Sequence, residues 1–307
     1  MFAYGPVPSR RLGKSIGVSP IPAKTCSYSC IYCQLGRTNQ LQIKRESFFP
    51  KKNIFHDIQK VIKGNSADYI TFVGDGEPTL CKDLGWLIDK CKNNFDIPIA
   101  VITNGSLLFQ AEVRKDLQNA DVVMPTIDAG TDDIFRKINR AHKNINFDEM
   151  IQGIVDFREE FTGKIWAEVM LVKDVNDSEK TLKNIKWQLD KINPDKIYIT
   201  TPVRPPAEKW VTPPKPEKIL YAQTILNNTF NIIDRENGDF GVTNFANASE
   251  ALYEISSRHP LREEQAMKIE RKFSQQGTLK KMLNNGELIK YNYQNIFYIF
   301  PKKFKTS

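Results

Sequence analysis

From residue 16 to about residue 228 the chain alternates short β-branched runs with amphipathic helical stretches, and no other feature narrows the possible folds as much. Strand and helix in repeated succession build a parallel sheet with crossover helices. Six strands are expected: Ile16-Gly17-Val18, DYITFVG at 68–74, IPIAVIT at 97–103, ADVVMPTI at 120–127, KIWAEVMLV at 164–172 and DKIYITT at 195–201. Helices are expected around 55–63, 82–93, 111–119, 147–161, 178–192 and 216–228, so that each strand is followed by one. In the fifth helix Leu182, Ile185, Leu189 and Ile192 recur at helical spacing, with lysines on the other face. Segments such as IPIAVIT are continuously apolar, as strands covered on both faces must be. Six such units form either an open doubly wound sheet or an incomplete barrel. In both, ligands gather at the C-terminal ends of the strands.

The loops at those ends hold most of the chain's unusual chemistry: KTCSYSCIYCQLGRT, GDGEPTL, TNGSLL, DAGTDD, VKDVND and TPVRPPAEKW. After residue 234 the pattern changes. NASEALYEISSRHPLREEQAMKIERKF reads as helix, QGTLKKMLNNGEL as a second short helix and IKYNYQNIFYIFPKK as a hairpin, an order that resembles a winged helix. Two units are therefore expected, 1–234 and 235–307. Lys280, Lys281, Lys290, Lys302 and Lys303 would give the second a basic face, used on nucleic acid or, equally, a unit used for packing, dimerisation or peptide docking.

At 307 residues, 40% apolar and 26% charged, the chain has material for a globular core. No apolar run approaches the roughly 18 residues of a membrane span, and MFAYGPVPSRRLGK lacks a signal-peptide plan, so a cytoplasmic protein without a membrane partner is expected. The net charge of +8 is unevenly placed: residues 1–63 carry 11 Lys and Arg against 2 Asp and Glu, and residues 258–307 carry 11 against 4. Basic ends around an acidic middle suit an anionic macromolecule touching both ends, or lysines kept for solubility.

Three of the five cysteines form Cys26-Ser-Tyr-Ser-Cys30-Ile-Tyr-Cys33 on the loop after the first of the six strands. An odd, clustered set speaks for metal ligation or redox chemistry rather than a disulfide framework. Structural zinc would need a fourth Cys or His nearby; only His56, His142 and His259 exist. Three thiolates on a four-iron cube instead leave one iron open to another ligand. Cys81 and Cys91 read as buried free thiols.

The triplet, with Tyr32 before its last cysteine, resembles the radical S-adenosylmethionine (radical SAM) superfamily. That resemblance implies a partial (β/α)6 TIM-like barrel in which Cys26, Cys30 and Cys33 ligate a [4Fe-4S] cluster whose free iron chelates S-adenosylmethionine (SAM). It further implies that Gly76 and Glu77 of GDGEP meet the methionyl amino group, and that Thr103, Asn104, Asp128, Glu168 and Asn176 contact SAM. For the last five, strand-end caps and turn formers are the alternative. The implied chemistry is reductive cleavage of SAM to a 5′-deoxyadenosyl radical, with a one-electron donor such as flavodoxin or ferredoxin as partner. GPVPSRRLGKSIGVSPIPAKTCSYSCIYCQLGRT, TPVRPPAEKWV and SRHPLR are similar to a branch related to wyosine-pathway tRNA enzymes, although no cysteine precedes Cys26 to hold a second cluster. The branch implies that Arg10, Arg11 and Arg204 contact an anionic substrate, with tRNA foremost; structural bridges to loop carboxylates are the alternative. Radical modification of a peptide or protein, and a non-catalytic iron–sulfur or zinc regulator with a winged helix, are the competing readings.

Overall fold

The computed structural model describes residues 1–232, 236 and 238–302. Its elements run β1 (Ala3–Ser9), β2 (Gly13–Val18), β3 (Thr25–Cys26), β4 (Gln40–Leu41), α1 (Lys51–Ile62), β5 (Tyr69–Phe72), α2 (Leu84–Asn94), β6 (Ile99–Thr103), α3 (Ala111–Leu117), β7 (Val122–Pro125), α4 (Asp132–Ile138), α5 (Phe147–Glu160), β8 (Lys164–Met170), α6 (Glu179–Ile192), β9 (Lys196–Thr200), α7 (Pro216–Leu226) and β10 (Thr229–Ile232). A second group follows: α8 (Ala248–Arg258), β11 (Leu261–Arg262), α9 (Glu263–Lys272), α10 (Thr278–Asn284), β12 (Leu288–Tyr293) and β13 (Ile296–Pro301).

All six expected strands form, and they lie side by side in chain order as β2-β5-β6-β7-β8-β9, every pair parallel. Two strands absent from the sequence reading extend them. β1 pairs antiparallel with β2 at one edge, and β10 pairs parallel with β9 at the other. The result is a mostly parallel α/β sheet of the partial-barrel kind. A further helix, α4, stands between β7 and α5.

Strand alternation divides the buried residues into two layers. Ile70 and Phe72 of β5, Ile99 and Val101 of β6, and Ile165, Ala167 and Val169 of β8 point towards the helices and form the main core. α6 meets that core with Leu182, Ile185, Leu189 and Ile192, and its N-terminus is capped by the Ser178 side chain, which accepts from Thr181 N. The alternate residues, Ala100, Val122, Met124, Trp166 and Tyr198, close over Leu12 on the other face. There Trp166 meets Tyr69 and Tyr198 edge-on, so aromatic rings fill one end of the interior. Higher on the same face the residues turn small and polar, with Ser15 Oγ and Thr71 Oγ1 2.6 Å apart.

The segment expected as one long helix from residue 247 is instead two, broken at His259-Pro260, because proline cannot continue a helix. β11 lies in the break and joins β13 and β12 in a three-stranded antiparallel sheet. The second group thus runs helix, strand, helix, helix and hairpin. The expected boundary at 234/235 lies outside the described residues, as does Lys303. This second unit does not stand apart. Leu252, Ile255, Leu261 and Ile299 share one core with Tyr4 and Val7 of β1, and Tyr293 and Tyr298 donate their hydroxyls to Pro202 O (2.8 Å) and Val203 O (2.7 Å) after β9. Among the described residues, no helix is long and apolar enough to cross a membrane.

Candidate functional site

The cysteine segment leaves the sheet after β2 and is held on three sides by backbone hydrogen bonds. β3 pairs with β4, closing the loop on itself, and Gln42 N donates to Cys26 O at 3.0 Å. Ser29 N and Ile31 N donate to Asn139 O and Ile138 O at the end of α4, each at 3.0 Å, and Glu208 N from the loop after β9 donates to Ile31 O at 3.0 Å. Three thiols are thus carried on a backbone fixed by β4, α4 and the β9 loop.

Two sulfurs receive amide donors. Cys26 Sγ accepts from Tyr28 N (3.4 Å) and Asn104 Nδ2 (3.6 Å); Cys30 Sγ accepts from Asn139 Nδ2 (3.6 Å). Burial, the first cause in each case, pushes the Cys26 thiol up to about 12 and holds Cys30 and Cys33 above the ordinary range. Ligation of a metal must therefore displace three protons. Cys30 and Cys33 line a cavity of 260 Å³ whose wall, among the described residues, includes no other Cys or His.

The residues expected from sequence fall into three groups around this loop. Glu77, 1% exposed, accepts at Oε1 from Thr103 Oγ1 and Thr79 Oγ1, both 2.6 Å, and at Oε2 from Asn104 N at 2.7 Å. Asn104 Nδ2 also reaches Ser27 Oγ at 2.8 Å. Gly76 makes this packing possible: a Cβ there would stand 1.7 Å from Thr25 O, next to Cys26. Glu77, Thr103 and Asn104 are therefore mutually bound beneath Cys26.

Asp128 anchors the second group. It accepts from the Tyr32 hydroxyl, from Asn139 Nδ2 (2.8 Å) and from Met170 N (2.8 Å). Burial lifts its carboxyl to about 6 against these donors. Asn176 is wholly buried and its amide is fully used: it donates to Asp128 O (2.9 Å) and Met170 O (2.8 Å) and accepts from Val172 N (2.8 Å). It braces the ends of β7 and β8.

The third group lines the cavity: Arg10, Arg11, Glu168 and Arg204. Arg11 pairs with Glu168. Arg204, expected to contact an anionic substrate or to bridge carboxylates, is tied to the second unit and to the cysteine loop. Its Nη1 donates to Gln34 Oε1 (2.6 Å), and its Nη2 meets His259 (3.1 Å) and Glu236 Oε2 (3.1 Å). His259, buried beside Arg204, is pushed down to about 4, burial being the larger cause. Arg37, past the cysteines, forks onto Glu208.

The sequence reading missed Gln34, Asn139, Glu236 and His259. Gln34 follows Cys33 directly, and SRHPLR carries His259, so both lay within segments already marked as distinctive. Asn139 and Glu236 carried no local signal.

A family model of the radical SAM superfamily matches residues 21–185, over half of the chain and all three cysteines. The chain belongs to the radical SAM superfamily. A UPF0026 protein of Methanocaldococcus jannaschii is 38% identical over 308 residues, spanning 97% of this chain and 95% of that protein. Among solved structures, a radical SAM methyltransferase from Sphaerobacter thermophilus aligns with a TM-score of 0.56 at 16% identity, covering 72% of this chain and 67% of that one. SuiB of Streptococcus suis, bound to S-adenosylmethionine, aligns with a TM-score of 0.52 at 15% identity, covering 70% of this chain and 49% of that one. At those identities the likeness is one of fold.

As a radical SAM protein the chain uses a [4Fe-4S] cluster and SAM. The residues fit both. Three thiols share one loop, amide N–H groups face two of the sulfurs as they do around iron–sulfur clusters, and a cavity opens beside Cys30 and Cys33.

Proposed function

We propose that this radical SAM enzyme cleaves SAM reductively and modifies a large anionic substrate, tRNA before others. In this reading Cys26, Cys30 and Cys33 hold the cluster, and SAM occupies the cavity bordered by Cys30, Glu168, Met170 and Thr200. When bound, cluster and SAM supply a 5′-deoxyadenosyl radical able to take a hydrogen atom from the substrate. The chain's own residues orient and shield: Asn104 and Asn139 steady the sulfurs, Glu77 and Asp128 hold those residues in place, and Tyr293 and Tyr298 of the second unit tie down Pro202 and Val203 in the cavity wall. Excluding water and stray hydrogen donors is the protein's main contribution to such chemistry.

One observation carries the choice of substrate. The two basic ends of the chain meet, since β1 and the second unit share a core at the barrel mouth. Lys280, Lys281 and Lys302 stand exposed on that unit. Lys290 does not offer a free charge there: it pairs with Glu263 at 2.7 Å and lies over the Phe297 ring. An acidic one-electron donor, flavodoxin or ferredoxin in kind, would approach the outer side of the cysteine loop, where Arg37, Lys209 and Trp210 are exposed.

The test is tRNA binding across a salt series. Affinity should fall steeply with salt, and Lys280→Gln with Lys281→Gln should reduce the logarithmic slope by about 2. Weak binding that ignores salt would remove tRNA and favour a peptide or protein substrate.

A further inference from the structure

Behind the cavity that Cys30 and Cys33 line lies a second compartment of 120 Å³, sharing Arg10, Arg11, Gln34 and Arg204 with it. Its far wall comes from the second unit, through Arg258 and His259. Four guanidinium groups and an imidazole therefore border a small space that no carboxylate lines among the described residues. The carboxylates that balance them stand outside: Glu168 on Arg11, Glu236 on Arg204, Asp75 and Glu254 on Arg258. Nε of Arg11 and Nε of Arg204 are buried without a hydrogen-bond partner among the described residues. The hydroxyls of Ser15 and Thr71 complete a donor-rich surface.

Buried guanidinium donors without an acceptor are costly, and guanidinium forks match oxyanions closely. We propose that this compartment is an oxyanion-binding site for the acid group of the substrate, a phosphate or carboxylate clasped by Arg10, Arg11, Arg204 and Arg258. The space, 120 Å³, is enough for an acid group. Arg10 is already lowered to about 10, by burial first and then by Arg204 and Arg11, so cations crowd here ahead of any ligand. Assigning the anion to the substrate rests on the function proposed above; the binding itself does not.

The experiment is calorimetric titration of the full chain, kept anaerobic and without reductant, with inorganic phosphate and separately with acetate, each with and without saturating SAM. One anion per chain is expected, with or without SAM, weakened about tenfold or more by Arg10→Gln and by the cavity-filling Ser15→Val, and unchanged by Lys52→Gln at an exposed position of α1. A response to phosphate alone assigns a phosphate, one to acetate alone a carboxylate, and either supports the site. No saturable response from either probe overturns it. So does loss of binding when SAM is present, or binding at full strength in both cavity variants with native circular dichroism. Should Arg10→Gln fail to fold, Ser15→Val decides by the same criterion. No redox step enters the titration, so its failure and a failure to cleave SAM are separate results.

Discussion

Asn176 tests whether the site has been built up correctly from its parts. Its resemblance-implied role is contact with SAM, whereas its side chain is wholly buried and spent on Asp128 O, Met170 O and Val172 N. Asn176→Leu keeps the branched shape of the side chain and removes all three hydrogen bonds. It leaves one buried N–H and two buried carbonyls wanting partners, each costing about 1–3 kcal/mol, with the carbonyls at the lower end. A loss of about 3–5 kcal/mol is expected, which for a chain of this length lowers the melting temperature by about 5–8 °C. Because the carbonyls belong to the strand ends that place Asp128, cluster retention should fall with stability. The assay pairs thermal unfolding followed by circular dichroism with iron content after anaerobic reconstitution. A variant that melts within about 1 °C of wild type but no longer binds SAM would refute the bracing role.

Other perturbations read the remaining joints. Gly76→Ala drives a Cβ to 1.7 Å from Thr25 O, so the backbone before Cys26 must shift; iron bound per chain should drop severalfold in chemical assay while soluble yield persists. His259 is held near 4 when folded and titrates near 6.5 unfolded, so the unfolded chain binds the extra proton between those values. Stability should therefore fall as pH drops from 6.5 to 4, by on the order of 3 kcal/mol from this group, and His259→Gln should flatten that part of a urea-midpoint profile. Tyr293→Phe combined with Tyr298→Phe strands Val203 O, leaves Pro202 O only the 3.4 Å bond from Gln294 Nε2, and should destabilise by about 2–3 kcal/mol in urea denaturation, with Tyr298→Phe alone supplying the larger share.

What could be read from the sequence was whatever repeats locally. The six parallel strands are continuous apolar runs, and the cysteines, GDGEP and TNG announce themselves by spacing and residue type. β1 escaped because AYGPVPS contains two prolines, tolerable only at a sheet edge, where β1 in fact lies. β10 is four residues long and follows two asparagines, and α4 is a seven-residue helix inside a loop rich in Asp and Gly. The docking of the second unit depends on contacts 91 and 95 residues apart in the chain, Tyr293 to Pro202 and Tyr298 to Val203, which no periodicity encodes. Arg204 shows the same limit. Its charge and its prolines were visible, but its partners Gln34, Glu236 and His259 come from two distant segments.

The measurement closest to the central claim is 5′-deoxyadenosine, quantified by mass spectrometry after the anaerobically reconstituted protein meets SAM and dithionite. Wild type should release it, and Cys30→Ala should bind less iron and release none above background. Wild type loaded with iron yet silent, or Cys30→Ala producing as much as wild type, would contradict the account.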